Sequence, residues 1–221
     1  MSDFLIDENI IRNTVGKDVK GVIHIGAHFG QEHDFYESVG AKNILYFECH
    51  PQTYEKLLVS VGDKPNTVCV NKALGDENGV TKTMYCETAN TGASNSLLKP
   101  NAHEQIYPGI KFDDTVEVEQ ITLDEYGKEH DLSEYNFMNI DVQGYEMHVY
   151  KGAIETLKNI NWIVTEINFA EMYSGCAKFN EIDEFLREQG FVLKTGIDTR
   201  CGWGDAFYER QETLGTVGAM P

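Results

Sequence analysis

The stretch Val22 to Pro51, VIHIGAHFGQEHDFYESVGAKNILYFECHP, constrains this chain more than any other. An apolar run, Val22 to Ile25, breaks at Gly26-Ala27-His28-Phe29-Gly30. A helix-compatible segment, Gln31 to Val39, follows and Gly40 ends it. A second apolar run, Ile44 to Phe47, leads to Glu48 at its tip. Strand, glycine turn, helix, strand and acid in this order make the first half of a nucleotide-binding α/β sheet. The glycines let the backbone approach a ligand closely, and an acid about twenty residues later can accept both hydroxyls of a ribose. A βαβ unit whose glycines only form a turn has the same pattern.

The spacing bears on which nucleoside fits. Packing against a pyrophosphate needs G-x-G-x-x-G. Counted from Gly26, the second and third positions are His28 and Gln31. Both carry side chains where the phosphates would lie. The G-x-x-x-G spacing suits a ligand with a ribose and no pyrophosphate, of which S-adenosylmethionine is the common one.

The rest of the chain continues the alternation. Asp7 to Thr14 reads as an amphipathic helix with Ile6, Ile10 and Ile11 on one side, lying across the sheet or over the cofactor pocket. Pro51 opens a helix carrying Tyr54, Leu57, Leu58 and Val61. Asn66 to Lys72 is a third strand, Gly75 to Gly79 a turn, and Val80 to Cys86 an antiparallel return. Val116 to Ile121 alternates as a strand and Leu123 to Lys128 starts a short helix. Phe137 to Asp141 is a buried strand ending in a carboxylate, and a helix is expected from Glu146 through Lys158. Trp162 to Ile167 is a fifth strand, Phe179 to Gln189 an amphipathic helix, and Phe191 to Thr195 and Ala206 to Tyr208 the last strands. Such alternation predicts a doubly wound sheet with a mainly parallel core. Glu87 to Asp114 is polar and irregular, a loop over the ligand site or a disordered insertion. The expected organisation is an N-terminal helical segment over 1–20, one domain over 21–210 and a flexible tail over 211–221, frayed from Gly215 to Pro221.

Charge and cysteine usage narrow the partners. The 221 residues carry a formal net charge of −18, and the few Lys and Arg are scattered. A nucleic-acid binder needs a basic face, so DNA, RNA and anionic membrane are discounted. Cys49, Cys69, Cys86, Cys176 and Cys201 form no C-x-x-C pair, which points to reduced thiols in a cytoplasmic protein. The acidic start MSDFLIDENII does not read as a signal peptide, and no stretch is apolar for long enough to span a bilayer.

In a doubly wound sheet the ligand sits beyond the carboxyl ends of the strands. Four polar ends fall on that rim: His28, Glu48, Asp141 and Glu166. Any one of them can be a solvated cap, but four together point to a site. The residues IHIGAHFGQE, FECHP, NKALGDENG, TGASNSLL, Thr122-Leu123-Asp124 and NIDVQGYEMHVYKGA together resemble the FkbM-type S-adenosylmethionine-dependent methyltransferases over roughly Gly21 to Gly196. The resemblance implies a Rossmann-like, three-layer α/β/α fold of the class I methyltransferase type. It also implies O-methylation of a hydroxyl on a sugar of a glycan, glycolipid or glycosylated natural product. Carried over by position, Gly26, Ala27 and His28 would wrap the methionine part and Glu48 would hold the ribose. Asn71, Lys72 and Ala73 would border the adenine, and Asn95 and Ser96 would reach the methionine carboxylate. Asp141 would bind the methionine ammonium and face the transferring methyl. Three departures stand out: His24 where the family usually has an acid, His28 where it often has Asn, and Gln143 where it usually has Glu. Gln143 keeps hydrogen bonding but loses a charge, which weakens it as a base or metal ligand.

An alcohol acceptor must lose its proton, so a base within hydrogen-bond reach helps. Asp141, Glu166 and His28 are the candidates, the two acids favoured because strand ends are rigid. His148, in a helix, reads as an ordinary histidine, and His24 as a hydrogen-bonded structural group. His33, His50, His103 and His130 offer no spacing argument. Gln143 and Trp203 are the expected acceptor contacts, Trp203 as a loop ring that stacks on a sugar face, with Tyr107 and Tyr173 able to do the same. No metal is assigned, because no His/carboxylate cluster has ligand spacing; Glu146, opening a helix, reads as a cap. Two other readings stay open: an NAD-dependent sugar-modifying oxidoreductase, and a non-catalytic Rossmann-like interaction module. A homo-oligomer is left open as well.

Overall fold

The computed structural model describes residues 4–211. In chain order its strands are β1 (Gly21–Ile25), β2 (Asn43–Phe47), β3 (Thr67–Val70), β4 (Ala73–Leu74), β5 (Val80–Cys86), β6 (Asp114–Ile121), β7 (Phe137–Ile140), β8 (Trp162–Asn168), β9 (Phe191–Asp198) and β10 (Trp203–Arg210). Its helices are α1 (Glu8–Val15), α2 (His33–Ser38), α3 (Pro51–Val61), α4 (Ala102–Ile106), α5 (Leu123–Glu129), α6 (Glu146–Lys151), α7 (Ile154–Leu157) and α8 (Phe179–Glu188). The main sheet has the order β3-β2-β1-β7-β8-β10-β9, parallel except for β10, which runs antiparallel to both neighbours. A second, small sheet, β4-β6-β5, holds the expected antiparallel return.

Strand side chains alternate between the two faces of a sheet. Ile23, Leu45, Met138 and Ile163 meet Leu123, Tyr150, Leu157 and Ile182 from α5 to α8. Ile44, Phe137, Val164 and Phe207 meet Ile11, Val15, Phe35 and Leu57 from α1 to α3. Helices therefore cover both faces, which is why the central strands read as continuous apolar runs. The chain order reverses between β1 and β7. There Gly26 adopts φ 79°, and a Cβ on it would lie 1.8 Å from the Asp141 carbonyl oxygen. Only glycine lets the two strand ends come this close.

Several expectations need correction. Ile10 and Leu58 are each 41% exposed, while Ile11 with Val15 and Leu57 with Val61 form the buried i, i+4 pairs. The helix over Gln31 to Val39 is only α2. The helix expected from Glu146 through Lys158 is broken into α6 and α7. Gly152 at the break lies against the small sheet, and a Cβ there would stand 1.9 Å from the Gly75 oxygen. Asp124 then caps α7, its carboxylate accepting the Glu155 and Thr156 N–H groups at 2.9 and 2.8 Å. The last strands are longer than their apolar cores, because hairpin pairing carries the ladder across Gly196 and Gly204. Trp203 is consequently the first residue of β10 and not a loop tip. The segment 87–114 contains α4 and bridges to the body at Tyr85–Ser96 and Pro100–Tyr173. The expected tail lies, from residue 212 on, outside the described residues.

Candidate active site

Two adjoining cavities open at the β1–β7 reversal. The smaller, about 110 Å³, lies between the β1 turn, Glu48, Ala73 and the Asp141 turn. The larger, about 300 Å³, extends over β8 and β10 beneath the segment 87–114. Gly26, His28, Ala93, Asp141 and Gln143 line both, so the cavities meet at those residues.

Glu48 is built in by the turn it faces. Its Oε2 accepts the His28 N–H at 3.0 Å and its Oε1 the His50 N–H at 2.8 Å. Burial pushes its carboxyl up to about 7. Asn71 does not line either cavity; its amide donates to the Glu48 and Cys49 carbonyls at 2.8 and 3.1 Å and so holds the acidic tip. Lys72 and Ala73 line the smaller cavity, with the Lys72 ammonium paired to Glu119. Asn95 lines it too, its Oδ1 taken by the Glu87 N–H at 2.8 Å. Ser96 sits behind the wall, donating to the Gln143 carbonyl at 2.7 Å.

The turn after β7 carries the densest polar contacts. Gln143 Nε2 donates to Asp141 Oδ1 at 2.6 Å and to Glu166 Oε2 at 2.7 Å. Its two N–H groups thus tie the two carboxylates together. Its Oε1 lies 2.8 Å from the Tyr173 hydroxyl, which also lies 3.0 Å from the Ser94 carbonyl. One phenolic proton serves either acceptor. Gln143 has φ 54° and Gly144 φ 94°, and the buried Glu146 fixes this strained turn by accepting the Val142 and Gly144 N–H groups, both at 3.1 Å. Glu146 is therefore a clamp on the turn rather than a group in the cavity.

Glu166 is buried, and desolvation, with Asp141 nearby, raises its carboxyl well above the ordinary range. Asp205, directly opposite Glu166 across the β8–β10 pair, is pushed up to about 7, first by burial. Its Oδ2 accepts the Leu5 N–H at 2.9 Å. His24, beneath the turn, is driven down to about 3 by burial and then by His28, so it is neutral. Asn139 donates to its Nε2 at 3.1 Å and to the Tyr36 hydroxyl at 2.9 Å, which gives His24 the structural place expected of it. His28 has both ring nitrogens engaged, by Gln31 Nε2 at 3.0 Å and the Thr91 carbonyl at 3.2 Å. It clasps the β1 turn to the overlying segment. His148 pairs with Asp76 at 2.9 Å and lines neither cavity.

Trp203, Tyr107 and Tyr173 all line the larger cavity, and Trp203 Nε1 donates to the Tyr107 hydroxyl at 2.8 Å. Asn168, Asp205, Glu32, Asn139 and His103 also line it and had no sequence signal of their own. Period-two spacing from Glu166 reaches Asn168, but Asp205 comes from a strand that the pattern left short. Among the described residues no group of three or more His, Cys, Asp or Glu side chains could hold a metal ion. None of the described helices is long and apolar enough to cross a membrane.

Comparison with known proteins gives this geometry a family. Residues 24–193 match the Methyltransferase FkbM domain. The chain belongs to the FkbM methyltransferase family. That family uses S-adenosylmethionine, so the cofactor expected from the sequence stands. A 2-O-methyltransferase, NoeI of Sinorhizobium fredii, is 27% identical over 172 residues, 75% of this chain and 70% of its own length. A hexuronic acid methyltransferase, AglP of Haloferax volcanii, is 22% identical over 158 residues, 68% of this chain and 61% of its own length. Among solved structures, the magnesium protoporphyrin IX methyltransferase of Synechocystis with bound S-adenosylmethionine has a TM-score of 0.50 at 11% identity, covering 92% of this FkbM chain and 78% of its own. Aeropyrum pernix fibrillarin, also with S-adenosylmethionine, has a TM-score of 0.50 at 11% identity, with coverages of 88% and 67%. These likenesses are of fold: the FkbM chain has the Rossmann-like class I methyltransferase architecture.

Proposed function

We propose that the protein is an S-adenosylmethionine-dependent O-methyltransferase that methylates a sugar hydroxyl. The observation that carries this reading is the pair of cavities meeting at Asp141. The smaller has the acid and small residues suited to an adenosine, and the larger has aromatic and polar walls suited to a sugar. NoeI and AglP, by their names, act as a 2-O-methyltransferase and on hexuronic acid, which supports a sugar acceptor. Neither the oxidoreductase nor the non-catalytic alternative is favoured by these relatives.

When bound, S-adenosylmethionine supplies an electrophilic methyl on a sulfonium. Glu48 accepts the ribose hydroxyls, while Gly26, Ala27 and Asp141 border the methionine end. Gln143 fixes the Asp141 and Glu166 carboxylates, and Trp203 with Tyr107 orients the acceptor ring. Glu166, on the acceptor side, takes the hydroxyl proton. Its raised proton affinity makes it a strong base once ionised, so turnover should climb as pH rises toward its value in the complex. His28 holds the overlying segment in place rather than moving protons. A glycan or small molecule is the acceptor class, and nucleic acid is not part of this reading. The five free thiols support a cytoplasmic location.

Calorimetric titration with S-adenosylhomocysteine beside NADH tests the cofactor, and Asp141→Asn tests the site. The first ligand should bind alone, and the variant should fold yet lose turnover. NADH binding alone, or near-normal methylation by the variant, would overturn the reading.

A further inference from the structure

The larger cavity has a composition that restricts which sugar it can take. Its walls contain the carboxyl groups of Glu32, Asp141, Glu166 and Asp205, and no Lys or Arg side chain lines it among the described residues. Asp141 lies at the junction with the smaller cavity. Glu166 and Asp205 lie farther over the sheet, paired across β8 and β10 on the same face. Next to them stands Asn168, fully buried, lining the same cavity. Its Nδ2 approaches Glu166 Oε1 at 3.4 Å, while its Oδ1 has no hydrogen-bond partner. His103 on α4, 5% exposed, lines the cavity from the overlying segment and also has a ring nitrogen, Nδ1, without a partner. A buried carbonyl oxygen left unpaired is costly, and it asks for a donor from whatever fills the space.

Resting on the methyltransferase reading, we infer that the acceptor is an amino sugar whose protonated amine enters a subsite formed by Asn168 and Asp205, beside the base Glu166. An ammonium has three donors and no acceptor, which matches the Asp205 carboxyl and the unpaired Asn168 amide oxygen. A carboxylate-bearing sugar finds no Lys or Arg there and sets an acceptor against the unpaired amide oxygen. The chain would therefore differ in acceptor from the hexuronic acid methyltransferase it is similar to.

The test uses the full chain and matched methyl glycosides of glucosamine, glucose and glucuronic acid. S-adenosylhomocysteine is titrated first, and each glycoside is then titrated into that complex and assayed for methyl transfer. The glucosaminide should bind about tenfold or more tightly than the glucoside, and the glucuronide weakest. Asp205→Asn, which can still accept the Leu5 N–H, should shrink the amine preference and leave the S-adenosylhomocysteine affinity unchanged. Equal affinity for glucosaminide and glucoside, binding of the glucuronide as tight as either, or neglect of all three by a complex that binds S-adenosylhomocysteine would each overturn the subsite. Failure to bind S-adenosylhomocysteine would instead sink the underlying methyltransferase reading, and the subsite with it.

Discussion

Glu48 illustrates how a single side chain can be built into the fold and, in the role proposed for it, hold a ligand as well. One oxygen secures the β1 turn and the other the start of α3, and a carboxylate's roughly four acceptor sites leave capacity for a ribose hydroxyl in the proposed role. Glu48→Ala should weaken S-adenosylhomocysteine binding by roughly 10- to 100-fold, from the loss of charge-assisted hydrogen bonds. Unchanged affinity in calorimetry would remove Glu48 from the site. Gln143 is the other residue whose role depends on its chemistry. Its amide bridges two carboxylates by donating one N–H to each, which a carboxyl in its place could not do, having no donor when ionised and one when protonated.

At the scale of elements, the Asp141 turn is held from three sides. Glu146 clamps its backbone, Ser96 from the overlying segment reaches its carbonyl, and Tyr173 meets its amide. The overlying segment is fastened through a small apolar cluster of Met172, Tyr173 and Cys176 with Leu98, Tyr107 and Trp203. Elsewhere, the three-stranded sheet docks on the body where Gly152 meets Gly75, and the Tyr145 hydroxyl donates to Gln120 Oε1 at 2.9 Å. Gly152→Ala should separate these backbones and destabilise the protein by about 2–4 kcal/mol. A denaturant midpoint equal to that of the parent chain would show that the contact yields without cost.

Over the whole molecule, buried acids couple stability to pH. Glu48, Glu146 and Asp205 are each pushed up to about 7, chiefly by burial, and burial also holds Glu166 well above the ordinary carboxylate range. An acid whose folded value is raised stabilises the fold while protonated. That contribution is full below its ordinary value and is lost as pH rises through the folded one. The melting temperature of the ligand-free protein should therefore fall by several degrees between about pH 5 and 8. The net charge of −18 acts in the same direction through repulsion. Glu48→Gln should flatten the slope, which separates the buried acid from the general charge. A melting temperature that climbs toward pH 8 would contradict the raised values.

The sequence by itself determined the layer order, the β1 turn and the acids at the strand tips. Those follow from local rules: apolar periodicity, glycine at positive φ, and the chain's need to bury both faces of a parallel sheet. It also carried the family, through motifs whose physical roles are largely local, such as Glu146 folding back on its own turn. Only the tertiary structure decided the composition of the larger cavity. Glu166 and Asp205 are neighbours because β10 pairs antiparallel with β8, and that register is set by packing rather than by any nearby residue. The same holds for His103 and Tyr107, brought in on the overlying segment, and for Asn71 and Ser96, which line neither cavity and hydrogen-bond to the backbone behind the walls. Contacts between segments far apart in the chain leave no local periodicity, so their partners emerge only when the sheet is assembled.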